Sequence, residues 1–173
     1  MAKILVLNGS PHLKSNTSAM VDSFLAGAKK ASNEVIVYNV AFMNVHDSIG
    51  EESGLIHDDM AQIEKSLLSS DYVVLASPLY FFSFSGYLKN VIDRFASIKD
   101  IGNKKLFVFV SMGSDNKESL KPVEEQSKLI ASHLKWSFEG FSYLSSCKNE
   151  EDYKNHFGEL ENLSKWVCRS ISE

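Results

Sequence analysis

The sequence has little of what marks several common protein classes. Among its 173 residues are two cysteines and three prolines, and lysine plus arginine (18) do not outnumber aspartate plus glutamate (22). The two thiols, Cys147 and Cys168, provide neither a disulfide framework nor the spacing of a metal site, which favours reduced cysteines in the cytoplasm. The net charge of −4 gives no basic face for nucleic acid or for an anionic membrane surface.

Long apolar runs and the most familiar nucleotide motifs are also missing. The apolar run at residues 4–7 is too short for a signal peptide or a membrane span, so we expect a cytoplasmic protein without a membrane partner. Neither G-x-x-x-x-G-K-[ST] nor G-x-G-x-x-G occurs, which excludes a P-loop and a dinucleotide fingerprint. At 44% hydrophobic and 23% charged residues, the chain suits one compact domain over residues 1–173.

Five short apolar runs are present, and they predict strands. They are rich in β-branched and aromatic residues, as buried parallel strands are, and the last mixes in polar residues as an edge strand can. The runs are 4–7, 35–38, 72–75, 106–110 and 136–144. The segments between and after them have helical spacing, within 21–28, 60–68, 88–95, 120–134 and 153–171. This alternation predicts an α/β fold, a doubly wound parallel sheet of order 2-1-3-4-5 with helices on both faces.

The connection over residues 41–57 is unusually long and has no clear periodicity, and such loops are often functional. This region includes acidic residues and histidines that could suggest a metal: His46, Asp47, His57, Asp58 and Asp59. No recognised ligand spacing appears among them. We therefore predict no metal site, with Asp58 capping the following helix.

In this architecture ligands bind beyond the carboxyl ends of the strands, so the loops after Leu7, Ala76 and Val110 are candidates. The first loop, residues 8–18, has hydroxyl and amide side chains, one histidine, one lysine and no acid. A helix N-terminus with unpaired N–H groups binds anions, although helix capping alone also explains such polar residues. The predicted phosphate-binding residues are Ser10, His12, Ser15, Asn16, Thr17 and Ser18.

The second loop, residues 77–86, contains four aromatic residues within five positions. Pro78 restricts its backbone, and aromatic faces on a rigid loop suit a flat ring. For Phe82 and Phe84, packing in the core or at a subunit interface is favoured over contact with a ligand. The third loop is a short Gly/Ser segment, for which a plain turn is an equal alternative. The predicted binding residues are Pro78, Leu79, Tyr80 and Phe81 in the second loop, and Ser111, Gly113 and Ser114 in the third.

These motifs together resemble the NAD(P)H-dependent FMN reductase family, which has a flavodoxin-like fold. The similar segments are Gly9-Ser10-Pro11 followed by Ser15–Ser18, and Ser77-Pro78-x-Tyr80-Phe81 before a helix ending in Asp93-Arg94-Phe95. The resemblance covers residues 1 to about 97. It implies FMN as cofactor, NAD(P)H as co-substrate, and main-chain contacts from the aromatic loop to the flavin ring.

The sequence departs from the family at two places. Relatives often carry Arg where this chain has His12, a substitution that keeps a donor but makes its charge depend on pH. Many relatives also have a cysteine cluster after the second strand, whereas residues 41–60 contain no cysteine. An iron–sulfur centre needs thiolates, so this branch of the family is not expected here.

The function implied by the resemblance is electron transfer from a nicotinamide through FMN to a quinone, flavin or similar small-molecule acceptor. The cofactor carries the chemistry, so no catalytic side chain is expected, with Tyr80 as a ring-orienting residue. A homodimer is expected, with Phe81, Phe82 and Phe84 exposed at the subunit boundary.

Two other functions share the predicted fold. A flavodoxin-type electron carrier would bind the same cofactor without NAD(P)H reductase activity of its own, although such carriers are commonly more acidic and have a tighter phosphate loop. A response-regulator receiver needs acidic residues where this chain has Asn8 and Ser77, so we set it aside.

Overall fold

The computed structural model describes residues 1–30, 32–47 and 57–172. Its strands are Lys3–Asn8 (β1), Glu34–Asn39 (β2), Tyr72–Pro78 (β3), Lys105–Ser111 (β4) and Ser137–Leu144 (β5). Its α-helices are Asn16–Lys30 (α1), Met60–Ser69 (α2), Gly86–Arg94 (α3), Lys121–His133 (α4) and Phe157–Ser172 (α5). Each predicted strand and helix is therefore confirmed. Most of the long connection, residues 48–56, lies outside the described residues, so its expected functional role stays a prediction.

The strands form one parallel sheet in the order β2-β1-β3-β4-β5, which confirms the predicted flavodoxin-like topology. β1, β3 and β4 are buried along nearly their whole length because helices cover both faces. β5 is only partly buried at the edge, which explains its mixed sequence. The order reverses between β1 and β3, and sheets of this type bind ligands at that point.

Two hydrophobic clusters lie on opposite faces of the sheet. On one face α1 and α5 pack with Phe24, whose ring meets those of Phe107 and Phe109. On the other face α2, α3 and α4 pack around residues such as Leu88. Two members of the predicted helical stripes, Leu68 and Phe157, are exposed. Leu68 lies next to the fully buried Leu67 and faces away from the core, and Phe157 is the first residue of α5. No helix in the described ranges is long and apolar enough to cross a membrane.

A buried ion pair ties the start of α2 to the end of α3. The Arg94 guanidinium lies 2.8 Å from Asp58 Oδ2, and the two side chains are 5% and 1% exposed. The Asp58 carboxylate also accepts the N–H groups of Met60 and His46. The predicted N-cap at Asp58 is wrong by one residue, because Asp59 holds that position and Asp58 binds the first N–H of α2 from just before it. Burial alone would raise the pKa of Asp58, but these hydrogen bonds and the Arg94 charge outweigh it and leave the pKa below its ordinary value.

This lowered pKa predicts a pH-dependent contribution to folding. Because the folded-state pKa lies below the ordinary 3.8, the contribution is fully present above that value and is lost as the pH falls through the folded-state pKa. Asp58→Asn should lower the free energy of unfolding at neutral pH by about 3 kcal/mol, since it removes one charge of a buried ion pair. Urea titrations at a series of pH values measure this, and the variant should lose less stability than the wild type as the pH falls below 3.8.

The control is Glu161→Gln, which breaks an exposed pair with Lys165 and should change stability by less than about 1 kcal/mol. Equal effects of the two variants at neutral pH would contradict a special role for the buried pair.

The contact between α1 and α5 depends on a residue without a side chain. A Cβ atom at Gly27 would lie 2.4 Å from the main-chain oxygen of Ser164. Gly27→Ala should therefore push the helices apart and lower the free energy of unfolding by about 1–3 kcal/mol, measured in urea. Gly158→Ala is the matched control, because a Cβ atom there meets nothing within 4 Å. The control should be neutral or stabilising by up to about 1 kcal/mol, and a comparable loss in both variants would refute the packing argument.

Candidate functional site

Four loops at the carboxyl edge of the sheet enclose a cavity of about 290 Å³. They follow β1, β3, β4 and β5, so the cavity lies across the point where the strand order reverses. The sequence-predicted residues that line it are Ser10, His12, Ser15, Asn16, Thr17, Pro78, Leu79, Tyr80, Ser111 and Gly113. Ser18, Phe81 and Ser114 lie outside its lining.

The first loop forms a network of hydroxyl groups at the start of α1. Ser10 Oγ donates to Ser15 Oγ (2.9 Å) and accepts the N–H of His12 (3.3 Å). Ser15 Oγ accepts the N–H of Ser18 (3.1 Å), which caps the helix. Within the described chain, the N–H groups of Asn16 and Thr17 make no hydrogen bond, as first-turn donors often do not. The open helix N-terminus is thus lined with hydroxyls, which is the chemistry of an anion site.

Ser18 supports this loop from behind the cavity. Its hydroxyl lies 3.0 Å from Ser15 Oγ and accepts from Asn8 Nδ2 at 3.2 Å. Asn8 Nδ2 also donates to Asn39 Oδ1 on β2, and Asn8 Oδ1 accepts the N–H of Ser10. Asn8 therefore fixes where the loop leaves β1, a role that the sequence analysis did not assign.

Gly9 is needed because the first loop passes against the start of α3. A Cβ atom at Gly9 would lie 2.6 Å from both Leu88 Cβ and Ser85 Oγ. The carbonyl oxygen of Gly9 accepts a 2.7 Å hydrogen bond from Ser85 Oγ, and the same oxygen atom of Ser85 caps α3 by accepting the N–H of Leu88. Glycine is required at this position because the backbone of residue 9 lies so close to Ser85 and Leu88, and not because of a positive φ.

The aromatic loop closes in a two-residue turn. Tyr80 and Ser83 exchange main-chain hydrogen bonds, and Phe81 and Phe82 between them have φ of 45° and 66°. Positive φ at both central residues is the pattern of a type I′ turn, where bulky residues are strained by about 1–2 kcal/mol each. Phe81 is 98% exposed and Phe82 55%, whereas Phe84 is 4% exposed. The expectation that Phe84 is exposed was wrong, because its ring joins the core on the side of α3.

Main-chain donors in this loop are largely used within the protein. The N–H of Leu79 donates to the carbonyl of Ser111, and that of Tyr80 donates to Ser83. The N–H groups of Phe81 and Phe82 make no such bond within the described residues. Tyr80 itself is half-exposed at the cavity. A main-chain N–H group of this turn that donates to a bound flavin ring would therefore be that of Phe81 or Phe82.

The third loop contributes a buried hydroxyl pair. Ser111 Oγ at the end of β4 lies 2.7 Å from Thr17 Oγ1 in the first turn of α1. This contact joins the third loop to the first beneath the cavity. Ser114 turns away, where its hydroxyl accepts the N–H of Asn116 and its carbonyl accepts the N–H of Ser146.

A fourth wall, after β5, was missed by the sequence analysis. Met112 and the β5–α5 residues Cys147, Lys148, Asn149 and Glu150 also line the cavity. The side chain of Asn16 holds this segment, because Asn16 Nδ2 donates to the carbonyl of Asn149 (2.7 Å) and Asn16 Oδ1 accepts the N–H of Tyr153 (2.5 Å). The Asn16 amide is thus committed to the loop, and its main-chain N–H is the group left for a ligand.

The fourth wall also changes the charge of the site. The first loop has no acid in its own sequence, but Glu150 Oε1 lies 2.8 Å from His12 Nδ1. Burial, together with the nearby Asp152 and Glu159 carboxylates, raises the pKa of Cys147 to about 11. The Cys147 thiol is therefore neutral at physiological pH and does not act as a nucleophile.

Other features of the described structure do not compete with this site. No three His, Cys, Asp or Glu side chains within residues 1–30, 32–47 and 57–172 are grouped as metal ligands. A larger groove of about 710 Å³ lies between α3 and α4, but Phe82, Phe95 and Leu129 are typical of its mainly apolar lining. Asp93 and Glu125 add two carboxylates to this lining, which disfavours a phosphate, so the smaller cavity is the candidate cofactor site.

Comparison with known proteins identifies the family of the chain. A family model described as NADPH-dependent FMN reductase matches residues 2–146. An iron–sulfur flavoprotein of Archaeoglobus fulgidus is 28% identical over 109 residues, which are 60% of this chain and 53% of that protein. An FMN-dependent NADH:quinone oxidoreductase of Aeromonas salmonicida is 39% identical over 110 residues, 56% of this chain and 55% of that protein. The chain thus matches about half the length of these two curated relatives.

Solved structures extend the similarity in fold to the whole chain. A crystal structure of an FMN-dependent NADH-azoreductase from Bacillus anthracis, in complex with FMN, superimposes with a TM-score of 0.74. It covers 100% of both chains at 13% sequence identity, so it supports the fold alone. The family model, by contrast, includes the first three loops of the cavity. The chain belongs to the NADPH-dependent FMN reductase family.

Proposed function

We propose that this chain is an FMN-containing oxidoreductase that takes electrons from NAD(P)H and passes them to a quinone, azo compound, flavin or similar small molecule. One observation carries the proposal: the cavity joins an open helix N-terminus to an aromatic turn at the switch point of the sheet. In a member of this family, that arrangement suits a ligand with a phosphate at one end and a flat ring at the other.

The residues present fit FMN. Free N–H groups at Asn16 and Thr17, with hydroxyls of Ser10 and Ser15, match a phosphate group. Pro78, Leu79 and Tyr80 form a rigid edge for the ring, since the Leu79 N–H is anchored to β4. When bound, FMN supplies the acceptance of hydride from the nicotinamide and the delivery of electrons to the second substrate.

The protein's own contribution is binding and orientation. Thr17 and Ser111 hold the phosphate and third loops at one separation, and the Tyr80–Ser83 turn fixes the aromatic residues at the rim. The Cys147 thiol stays protonated and adds no charge. No cysteine lies in residues 41–60, so an iron–sulfur centre like that named for the Archaeoglobus relative has no thiolates there. We infer a cytoplasmic location from the two free cysteines.

The assignment predicts that NADH or NADPH will reduce protein-bound FMN. The purified chain, saturated with FMN under anaerobic conditions, should lose its visible flavin absorbance when mixed with either nicotinamide in stopped flow. Addition of a quinone or an azo dye should restore that absorbance over many turnovers. Free FMN at the same concentration is the control for reaction without protein.

The result also separates the two functions that share the cofactor. FMN that binds but is reduced only by light or dithionite would favour the flavodoxin-type carrier. Failure to bind FMN at all would overturn both functions.

We also propose that the chain forms a homodimer through the aromatic turn and the α3–α4 groove. Phe81 is almost fully exposed on a strained turn, and Leu129 beside it on the groove is 69% exposed. Ser83 Oγ donates to Gln126 Oε1 (2.9 Å), which fixes the turn against α4. Burial against a second copy would cover these apolar surfaces, and such large exposed patches mark interaction sites. The modest 290 Å³ of the cavity would then be enlarged at the subunit boundary.

This interface predicts a specific effect of Phe81→Asn. Asparagine tolerates positive φ better than phenylalanine, so the folded subunit should keep or gain stability. Loss of the exposed ring should raise the dimer dissociation constant at least about tenfold. Analytical ultracentrifugation and thermal unfolding measure the two effects, with Phe157→Asn as an exposed aromatic control distant from the groove in sequence. A wild-type monomer at micromolar concentration would rule the dimer out.

A further inference from the structure

We propose that Glu150 sets how strongly this site selects a phosphorylated flavin over an unphosphorylated one, by competing with the phosphate for His12. The inference rests on the proposed function and adds a specificity-determining residue to it. Its starting point is the 2.8 Å contact between Glu150 Oε1 and His12 Nδ1 at the mouth of the cavity. Neither the first-loop motif nor the matched segment, residues 2–146, includes Glu150.

Glu150 is held at this position by the fold. The Asn16 side chain binds the main chain on both sides of Glu150, at Asn149 and at Tyr153. The N–H of Cys147 donates to the carbonyl of Met112 (2.9 Å), which fixes the beginning of the same segment. The Glu150 carboxylate therefore lies on a loop that is hydrogen-bonded to the N-terminus of α1, next to the first loop.

The neighbouring carboxylates have other partners, which leaves Glu150 as the one in contact with His12. Glu151 pairs with Lys154 at 2.5 Å, and the Asp152 carboxylate accepts the N–H of Asn149 at 2.7 Å. The His12–Glu150 pair is half-exposed, with side chains 50% and 57% accessible. Such a pair is weak enough to be exchanged for another anion, because water screens it.

A phosphate at the start of α1 would meet two effects of this carboxylate. It would have to displace Glu150 to bind His12 Nδ1, and at either imidazole nitrogen it would be repelled by the carboxylate nearby. Both effects would act on the phosphate, whereas the flavin ring would face the aromatic turn. Glu150 should thus weaken FMN binding and leave riboflavin binding almost unchanged, which makes bound FMN easier to exchange.

The test measures the dissociation constants of FMN and riboflavin by flavin fluorescence quenching on the flavin-free full chain. Glu150→Gln should tighten FMN binding about two- to fivefold, the range of an exposed charge pair, with no change for riboflavin. Glu161→Gln removes the same charge from an exposed α5 pair and controls for net charge. In a His12→Ala background, Glu150→Gln should tighten FMN binding by a smaller factor, because alanine has no side-chain donor for which Glu150 and the phosphate could compete.

Each other outcome contradicts the inference. FMN binding with an unchanged FMN-to-riboflavin ratio in Glu150→Gln would overturn it while leaving the proposed function intact. Equal tightening of both flavins, or an undiminished effect on FMN binding in the His12→Ala background, would show that competition at His12 is not the cause. Absence of FMN binding in every variant would overturn the proposed function together with the inference.

Discussion

The close contact between Gly9 and the start of α3 is the constraint on which the rest of the site depends. Without a side chain at residue 9, the first loop lies directly on Ser85, whose hydroxyl both donates to Gly9 and caps α3. The N–H of Ser85 in turn donates to Ser77 Oγ at the end of β3. A few hydrogen bonds therefore hold the first loop and the aromatic loop at one separation. The cavity between them is part of the fold and does not need a ligand to form it.

Much of this architecture could be predicted from the sequence because buried parallel strands are continuously apolar and the helices between them have a clear period. The same rule that pointed to the loops after β1, β3 and β4 applies to the loop after β5, but residues 145–150 have no motif to single them out. The Asn16 contacts with Asn149 and Tyr153 join residues more than 130 positions apart. Only tertiary structure brings them together, so no local pattern predicts that the Asn16 amide binds a loop.

The charge of the site is a second property that the local sequence does not predict. Within the first loop the lack of acidic residues suits a phosphate, yet folding places Glu150 against His12. Net charge and local composition describe what a segment carries, whereas the electrostatic field at a site is the sum over every element that surrounds it. This pairing gives His12 its physical context, since the half-exposed imidazole already has a carboxylate partner and has fewer donors than a guanidinium to offer a second anion.

The protonated state of Cys147 bears on the durability of the protein. Under the proposed function, reduced flavin in this cavity would react with oxygen to form hydrogen peroxide, which attacks thiolates far faster than thiols. With its pKa raised to about 11 and its side chain partly covered, Cys147 presents almost no thiolate to that oxidant at neutral pH. The sulfur atom at the cavity wall should therefore survive repeated turnover in air without being converted to sulfenic acid.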